Sequence, residues 1–344
     1  MRRTAPALLL LLALLLAACG EKAEPTGPRG ARLEPFRVVL DYFPNADHAG
    51  LYAAQAAGEF RRVGLDVQSV APSDPSAPLR LLQAGRADLA VTYEPELLLA
   101  RDKGTNLVSV GALVQKPLTT LMAIEGSGVR GVGDLRGKTV GTAGIPYQAA
   151  YLRTILAQAR VPDASVKRVD VGFNLVPAMI SKRVDATLGA FWNYEGVDLR
   201  QRGRKPTILR VERLGVPNYD ELVLAARRTS LRPQQAARIR RFLHALARGT
   251  ARVRADPAAA VAALVKANND LDPKLQTAAV KATIPVFLPA DPKRPFGFQD
   301  IGEWHDYGRW MLRNKLVTRD PHAEDALTNE FLPGQGLAAN TAEP

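Results

Sequence analysis

One cysteine stands in the 344 residues of this chain. A disulfide, a cysteine zinc site or a cysteine-held iron cluster needs at least two, so none of these forms within the chain. Histidine is nearly as scarce: there are four, and none has a second three or four positions away, the spacing that sets two ligands on one helix face. Neither a metal nor a cofactor is expected. Aromatic residues make up 6% of the sequence, too few to interleave a basic groove with stacking platforms for nucleic acid. The net charge of +12 is spread through arginines such as Arg238, Arg240, Arg241, Arg248, Arg252 and Arg254, on the polar face of a predicted helix. A solvated Arg-rich surface is the reading, and nucleic acid is not an expected partner. After the first twenty positions no uninterrupted apolar run reaches about 18 residues, so no later segment reads as a membrane span.

The first twenty positions are different. Arg2 and Arg3 precede an apolar run over 5–18, shorter than the roughly 20 residues a spanning helix needs. This is the pattern of a secretory signal, expected over 1–18. Leu16-Ala17-Ala18-Cys19 closes it, and this looks like the lipobox of bacterial lipoproteins, in which the cysteine is lipidated after cleavage. A plain signal peptide with a chance cysteine is the competing reading. Residues 19–34, rich in Gly, Pro, Glu and Arg, read as a flexible tether. The expected location is extracytoplasmic, lipid-anchored through Cys19 to the bacterial cell membrane.

From position 36 strands and helices alternate. Strands are expected at 36–41, 65–70, 88–91 and 107–113, with helices at 49–62, 75–84 and 94–103. A second unit has strands at 138–141, 166–171, 185–188 and 207–211 and helices at 147–160, 175–181 and 193–202. Helices then follow at 233–255, 257–267, 273–283 and 301–314, with Ser230 and Asp256 at cap positions ahead of prolines. Such alternation predicts parallel sheets covered by helices. A weak repeat supports two equivalent units: Gly85-Arg86-x-Asp88, strand, Tyr93-Glu94 matches Lys182-Arg183-x-Asp185, strand, Trp192-Asn193-Tyr194-Glu195. Each unit sets aromatic and acidic residues just past a strand's carboxyl end, where open α/β sheets bind ligands. The expected division is a first lobe from 35–122 and 223–335, a second from 123–222, and a tail at 336–344. Extended crossovers at 122–125 and 222–226 would form the hinge.

The loop at 41–50 holds Asn45 and Asp47 as capping candidates and His48 at a helix start. Pro44-Asn45-Ala46-Asp47-His48-Ala49-Gly50, Thr92-Tyr93-Glu94-Pro95-Glu96, Gly137-Lys138-Thr139-Val140-Gly141, Phe191-Trp192-Asn193-Tyr194-Glu195-Gly196 and Thr328-Asn329-Glu330-Phe331-Leu332 occur in that order. Together they resemble the thiamine-pyrimidine-precursor-binding branch of ABC transporter substrate-binding proteins, which are similar in fold to fungal enzymes that make the thiamine pyrimidine.

The resemblance implies an α/β, periplasmic-binding-protein-like fold of type II: two Rossmann-like lobes joined by a two-strand hinge. It also implies a small heteroaromatic ligand, formylaminopyrimidine or hydroxymethylpyrimidine, and an ABC permease and ATPase as partners. One-to-one delivery to a transporter makes a monomer the expectation. A flat aminated ring wants aromatic faces, for which Tyr42, Tyr93 and Trp192 are candidates, and a carboxylate, for which Glu195 comes first with Glu94 beside Tyr93. Asn45 and Asn193 suit the remaining edge, and Gly144, in the turn at 141–145, allows close backbone approach. Riboflavin and sulfonate or nitrate remain alternative ligands. The fungal enzymes carry a reactive histidine where His48 stands, but also a cysteine cluster, which this chain lacks. A binding protein is therefore expected and an enzyme is not, with His48 in the pocket or structuring its loop.

Overall fold

The computed structural model describes residues 32–334. The expected signal at 1–18, Cys19, most of the tether and the tail at 336–344 lie outside the described residues. Among the described residues no helix is long and apolar enough to cross a membrane.

The strands are β1 (Glu34–Val39), β2 (Leu65–Val70), β3 (Leu89–Thr92), β4 (Leu107–Val114), β5 (Thr119–Ile124), β6 (Thr139–Thr142), β7 (Lys167–Asp170), β8 (Ala186–Phe191), β9 (Pro206–Arg210) and β10 (Leu222–Arg227). They make two five-stranded sheets, ordered β2-β1-β3-β10-β4 and β7-β6-β8-β5-β9. Position for position the sheets correspond. Each has a parallel core, β2-β1-β3 or β7-β6-β8, followed by one antiparallel strand, β10 or β5. The repeat in the sequence has a structural job as well. Asp88 accepts from Arg37 N–H at 2.7 Å and Asp185 from Thr139 N–H at 2.8 Å. In each lobe this carboxylate ties the start of one parallel strand to its neighbour.

The α-helices are α1 (Ala49–Ala56), α2 (Glu59–Arg62), α3 (Ala77–Gln83), α4 (Glu94–Asp102), α5 (Pro146–Gln158), α6 (Leu175–Ile180), α7 (Glu195–Gln201), α8 (Pro233–Ala255), α9 (Pro257–Ala267), α10 (Pro273–Thr283), α11 (Ile301–Arg313) and α12 (Ala323–Ala326). Helix α8 buries Ile239, Phe242, Leu243, Leu246, Gly249, Thr250 and Val253, one face at a three-to-four residue spacing. Phe242 stacks between Phe36 and Phe60 at centroid distances of 4.9 and 5.2 Å. Gly249 lets α8 lie directly on α1: a Cβ there would stand 2.3 Å from Gly50 O. This contact fixes α1, and with it the loop that α1 carries toward the second lobe.

Four expectations shift. The single helix at 49–62 is two, because Gly58 turns left-handed at φ +69°. Ser230 does not cap α8; its hydroxyl donates to Arg227 O, and Arg232 is the residue ahead of Pro233. Asp256 does cap α9, accepting from Ala259 N–H. Glu34 belongs to β1, paired with Leu65, and not to the tether. Most consequentially, residues 122–125 and 222–226 are not crossovers. Met122 pairs with Thr187 and Ile208 inside the second sheet, and Val223 with Thr92 and Ala112 inside the first. The chain changes sheets at 115–118 and 211–221. A fully buried apolar strand and an apolar crossover have the same composition, and only register separates them.

Glu221 braces the two true crossovers. Its buried carboxylate accepts from Leu118 N–H, Thr119 N–H, the Thr119 hydroxyl and the Tyr219 hydroxyl at 2.6–2.9 Å. Burial still pushes this carboxyl up to about 7, against those donors.

Candidate functional site

The carboxyl ends of the parallel strands converge on a cavity of about 380 Å³, part of it open to solvent. Asp41 and Tyr42 follow β1, Tyr93 follows β3, Ala143 and Ile145 follow β6, and Phe191 ends β8. This is the position at which open α/β sheets take ligands.

Asp41 forms the first lobe's polar wall. Its Oδ1 lies 2.8 Å from His48 Nε2, and its Oδ2 accepts from the Tyr93 hydroxyl at 2.7 Å. His48 Nδ1 in turn accepts from Asn45 N–H at 3.2 Å, so Nε2–H is the donor to Asp41. The Asn45 side chain accepts from Asp47 N–H at 2.8 Å, which completes a capping box around the turn at 46–48. A short polar motif thus aims one carboxylate into the cavity and holds it with two donors.

The second lobe presents Glu195 at the first position of α7. Its Oε2 accepts from Phe191 N–H at 2.7 Å. Burial pushes its carboxyl up to about 8, outweighing that hydrogen bond, so at neutral pH it carries a proton. Gln148, also in the lining, is anchored by Ala143 N–H donating to its Oε1 at 2.9 Å. Five aromatic rings face the space: Tyr42, Tyr93, Tyr147, Phe191 and Tyr194. No lysine or arginine lines it among the described residues.

The lobes are in contact over this cavity. The Tyr42 hydroxyl donates to Phe173 O at 2.9 Å, and Gln276 of α10 donates to the Tyr194 hydroxyl at 3.0 Å. Tyr42 also packs edge-on against Phe173, centroids 4.4 Å apart.

Of the residues singled out in the sequence, Tyr42, Asn45, Tyr93 and Glu195 line the cavity. The other five do not. His48 stands behind Asp41 and orients it. Glu94 is buried at the start of α4, accepting from Asp220 N–H at 2.7 Å. Trp192 turns toward the hinge, donating to Pro117 O at 3.2 Å, with the Arg210 guanidinium 4.3 Å above its ring. Asn193 bonds across the lobes. Gly144 shapes the turn between Ala143 and Ile145: it has φ +79°, and a Cβ would meet Asp170 Oδ2 at 2.3 Å. Asp41, Tyr147, Gln148, Phe191 and Tyr194 were missed. Asp41 and Phe191 had a signal, since both sit at strand ends. Phe191 and Trp192 are neighbours, however, and adjacent residues at a strand end point to opposite faces.

The NMT1/THI5-like family model matches residues 45–260. A formylaminopyrimidine-binding protein from Halalkalibacterium halodurans is 32% identical over 323 residues, 93% of this chain and 97% of that protein. A Haemophilus influenzae protein named for thiamine biosynthesis is 34% identical, over 83% of this chain and 89% of that one. Among solved structures, the alkanesulfonate-binding protein SsuA from Xanthomonas axonopodis pv. citri superposes with a TM-score of 0.67 at 18% identity, covering 87% of this chain and 99% of that one. This last likeness concerns the fold, and it bears out the two-lobe, periplasmic-binding-protein arrangement.

Proposed function

The chain belongs to the NMT1/THI5-like family, and from that premise we propose that it is a substrate-binding protein for an aminopyrimidine of the thiamine-precursor kind, formylaminopyrimidine or hydroxymethylpyrimidine. One observation carries this reading: the inter-lobe cavity is walled by aromatic rings, holds one carboxyl from each lobe, and has no lysine or arginine in its lining. Rings supply flat faces for a heteroaromatic. A protonated Glu195 offers an O–H to a ring nitrogen and a carbonyl oxygen to the adjacent exocyclic amine. If the proton moves to the ring, the same two contacts persist as a charge-assisted pair. Asp41, kept in place by His48 and Tyr93, accepts from a donor on the opposite side of the ligand.

The same lining speaks against a sulfonate or nitrate. Binding an anion calls for arginine, lysine or free helix N-termini, and here two carboxyls would face it. Riboflavin would stack equally well on these rings and stays the alternative ligand. A synthase of the fungal type is disfavoured by the single cysteine, Cys19. In the proposed role the protein is extracytoplasmic, anchored through a lipid on Cys19, acts as a monomer, and releases its ligand to an ABC permease driven by an ATPase.

Calorimetric titration with formylaminopyrimidine, hydroxymethylpyrimidine, riboflavin and an alkanesulfonate tests the ligand. Binding of a pyrimidine alone is the expected result. Binding of the sulfonate with silence from both pyrimidines would overturn it.

A further inference from the structure

Asn193 lies at the seam between the lobes, wholly buried, ahead of α7. Its amide nitrogen donates both hydrogens to the first lobe: to Asp47 Oδ1 at 2.6 Å and to the Thr283 hydroxyl, at the end of α10, at 2.7 Å. The Thr283 hydroxyl passes its own hydrogen to Ala279 O at 2.8 Å, so it is free to accept. None of the three residues lines the ligand cavity.

Two buried atoms in this group have no partner, Asp47 Oδ2 and Asn193 Oδ1. They are the remaining halves of two groups already bonded to each other. With Asp47 ionised, both are acceptors and leave a buried polar cost unmet. One proton on Asp47 Oδ2 closes an acid–amide ring, Nδ2–H to Oδ1 and Oδ2–H to Oδ1, and satisfies both at once. We infer that Asp47, Asn193 and Thr283 form a latch that holds the cleft shut, and that closing it takes up one proton shared between Asp47 and Asn193.

The surroundings agree. Burial pushes the Asp47 carboxyl up to about 6, and Asp41 adds to the rise. The groups that oppose it are His48 and the hydrogen bond from Asn193; Thr283 Oγ1 stands 3.5 Å from Asp47 Oδ1, with its hydrogen on Ala279 O. From the second lobe, Glu195 and Tyr194 face it, both uncharged at neutral pH. Lys266 of α9 and Lys274 and Lys281 of α10, the charged residues on the helices packed against this turn, are exposed.

The sign follows from linkage. Opening the cleft returns Asp47 toward the ordinary aspartate value of about 4. The closed form therefore holds more proton between that value and about 6. Closure is strongest at the acid end of this window, is lost as pH rises through it, and is flat above. A two-unit difference changes the closed-to-open ratio by up to about a hundredfold. Ligand affinity inherits this dependence through the lobe equilibrium, with no contact between latch and ligand.

Small-angle X-ray scattering of the ligand-free protein tests the latch independently of the ligand's identity. Between about pH 4.5 and pH 7.5 the wild type should expand. Asp47→Asn, whose amide reproduces the protonated acid, should stay compact throughout. Asn193→Ala should be expanded throughout, and it carries the test alone if Asp47→Asn does not fold. A wild type that is flat over this window, an Asp47→Asn protein with the wild-type profile, or an Asn193→Ala protein as compact as wild type at the acid end would each overturn the inference.

Discussion

Replacing Glu195 by Gln and by Ala separates recognition by a proton-bearing carboxyl from simple loss of a polar wall. The Glu195 carboxyl is buried, accepts from Phe191 N–H at 2.7 Å, and is pushed up to about 8. Gln keeps a carbonyl oxygen for Phe191 N–H and for the ligand amine, and its NH2 donates where the carboxyl O–H did. Affinity for the pyrimidine should therefore change by less than about threefold at pH 7, the scale of a few tenths of a kcal/mol. Ala removes both ligand contacts and leaves Phe191 N–H without an acceptor. Two net hydrogen bonds at about 0.5–1.5 kcal/mol each predict a five- to 150-fold weaker dissociation constant, roughly. The pH profile is the sharper readout. The bound pair needs one proton, which the free wild-type carboxyl surrenders as pH rises through about 8. Wild-type affinity should then fall by about tenfold per pH unit at more alkaline pH, while the Gln variant stays level. Titration calorimetry from about pH 6 to pH 9.5, with circular dichroism as a fold control, measures both. A Gln variant that loses a hundredfold at pH 7, or a wild type level to pH 9.5, would refute the proton-bearing role.

Trp192→Phe should leave pyrimidine affinity unchanged, because the indole packs on Pro117 and Arg210 of the hinge region and not on the cavity; a tenfold loss by calorimetry would return Trp192 to the ligand. Tyr93→Phe keeps a ring in the cavity wall but strips one of two donors from the buried Asp41 carboxylate. Thermal denaturation should show a destabilisation of about 1–3 kcal/mol. Gly144→Ala forces a Cβ to within 2.3 Å of Asp170 Oδ2 at φ +79°. It should cost roughly 1–3 kcal/mol and weaken ligand binding by displacing Ala143 and Ile145, read by melting temperature and calorimetry together.

Local chemistry wrote most of the elements into the sequence. Strand β2 and helices α8, α9 and α10 run over the expected residues, because proline opens each of these helices and apolar periodicity marks the buried face. The weak repeat around Asp88 and Asp185 was legible as well, since the same carboxylate-to-backbone tie recurs at the same sheet position. The hinge was not. β5 is buried at every residue and β10 at all but its last, so neither shows an alternating pattern, and a continuous buried run carries no trace of which sheet it joins.

The site divides along the same line. Sequence alone determined that aromatic and acidic residues would collect past the strand ends, that Glu195 would be among them, and that cysteine chemistry was excluded. Only the tertiary structure decided which neighbour lines the cavity, Phe191 or Trp192, and that His48 stands behind Asp41. It also placed Asn193, an expected ligand contact, in bonds to Asp47 and Thr283 of the other lobe. These outcomes depend on atoms from segments distant in sequence, Asp47 with Asn193 and Thr283, Tyr93 with Asp41. No local periodicity encodes such pairings; they exist only once the two lobes have closed on a common cavity.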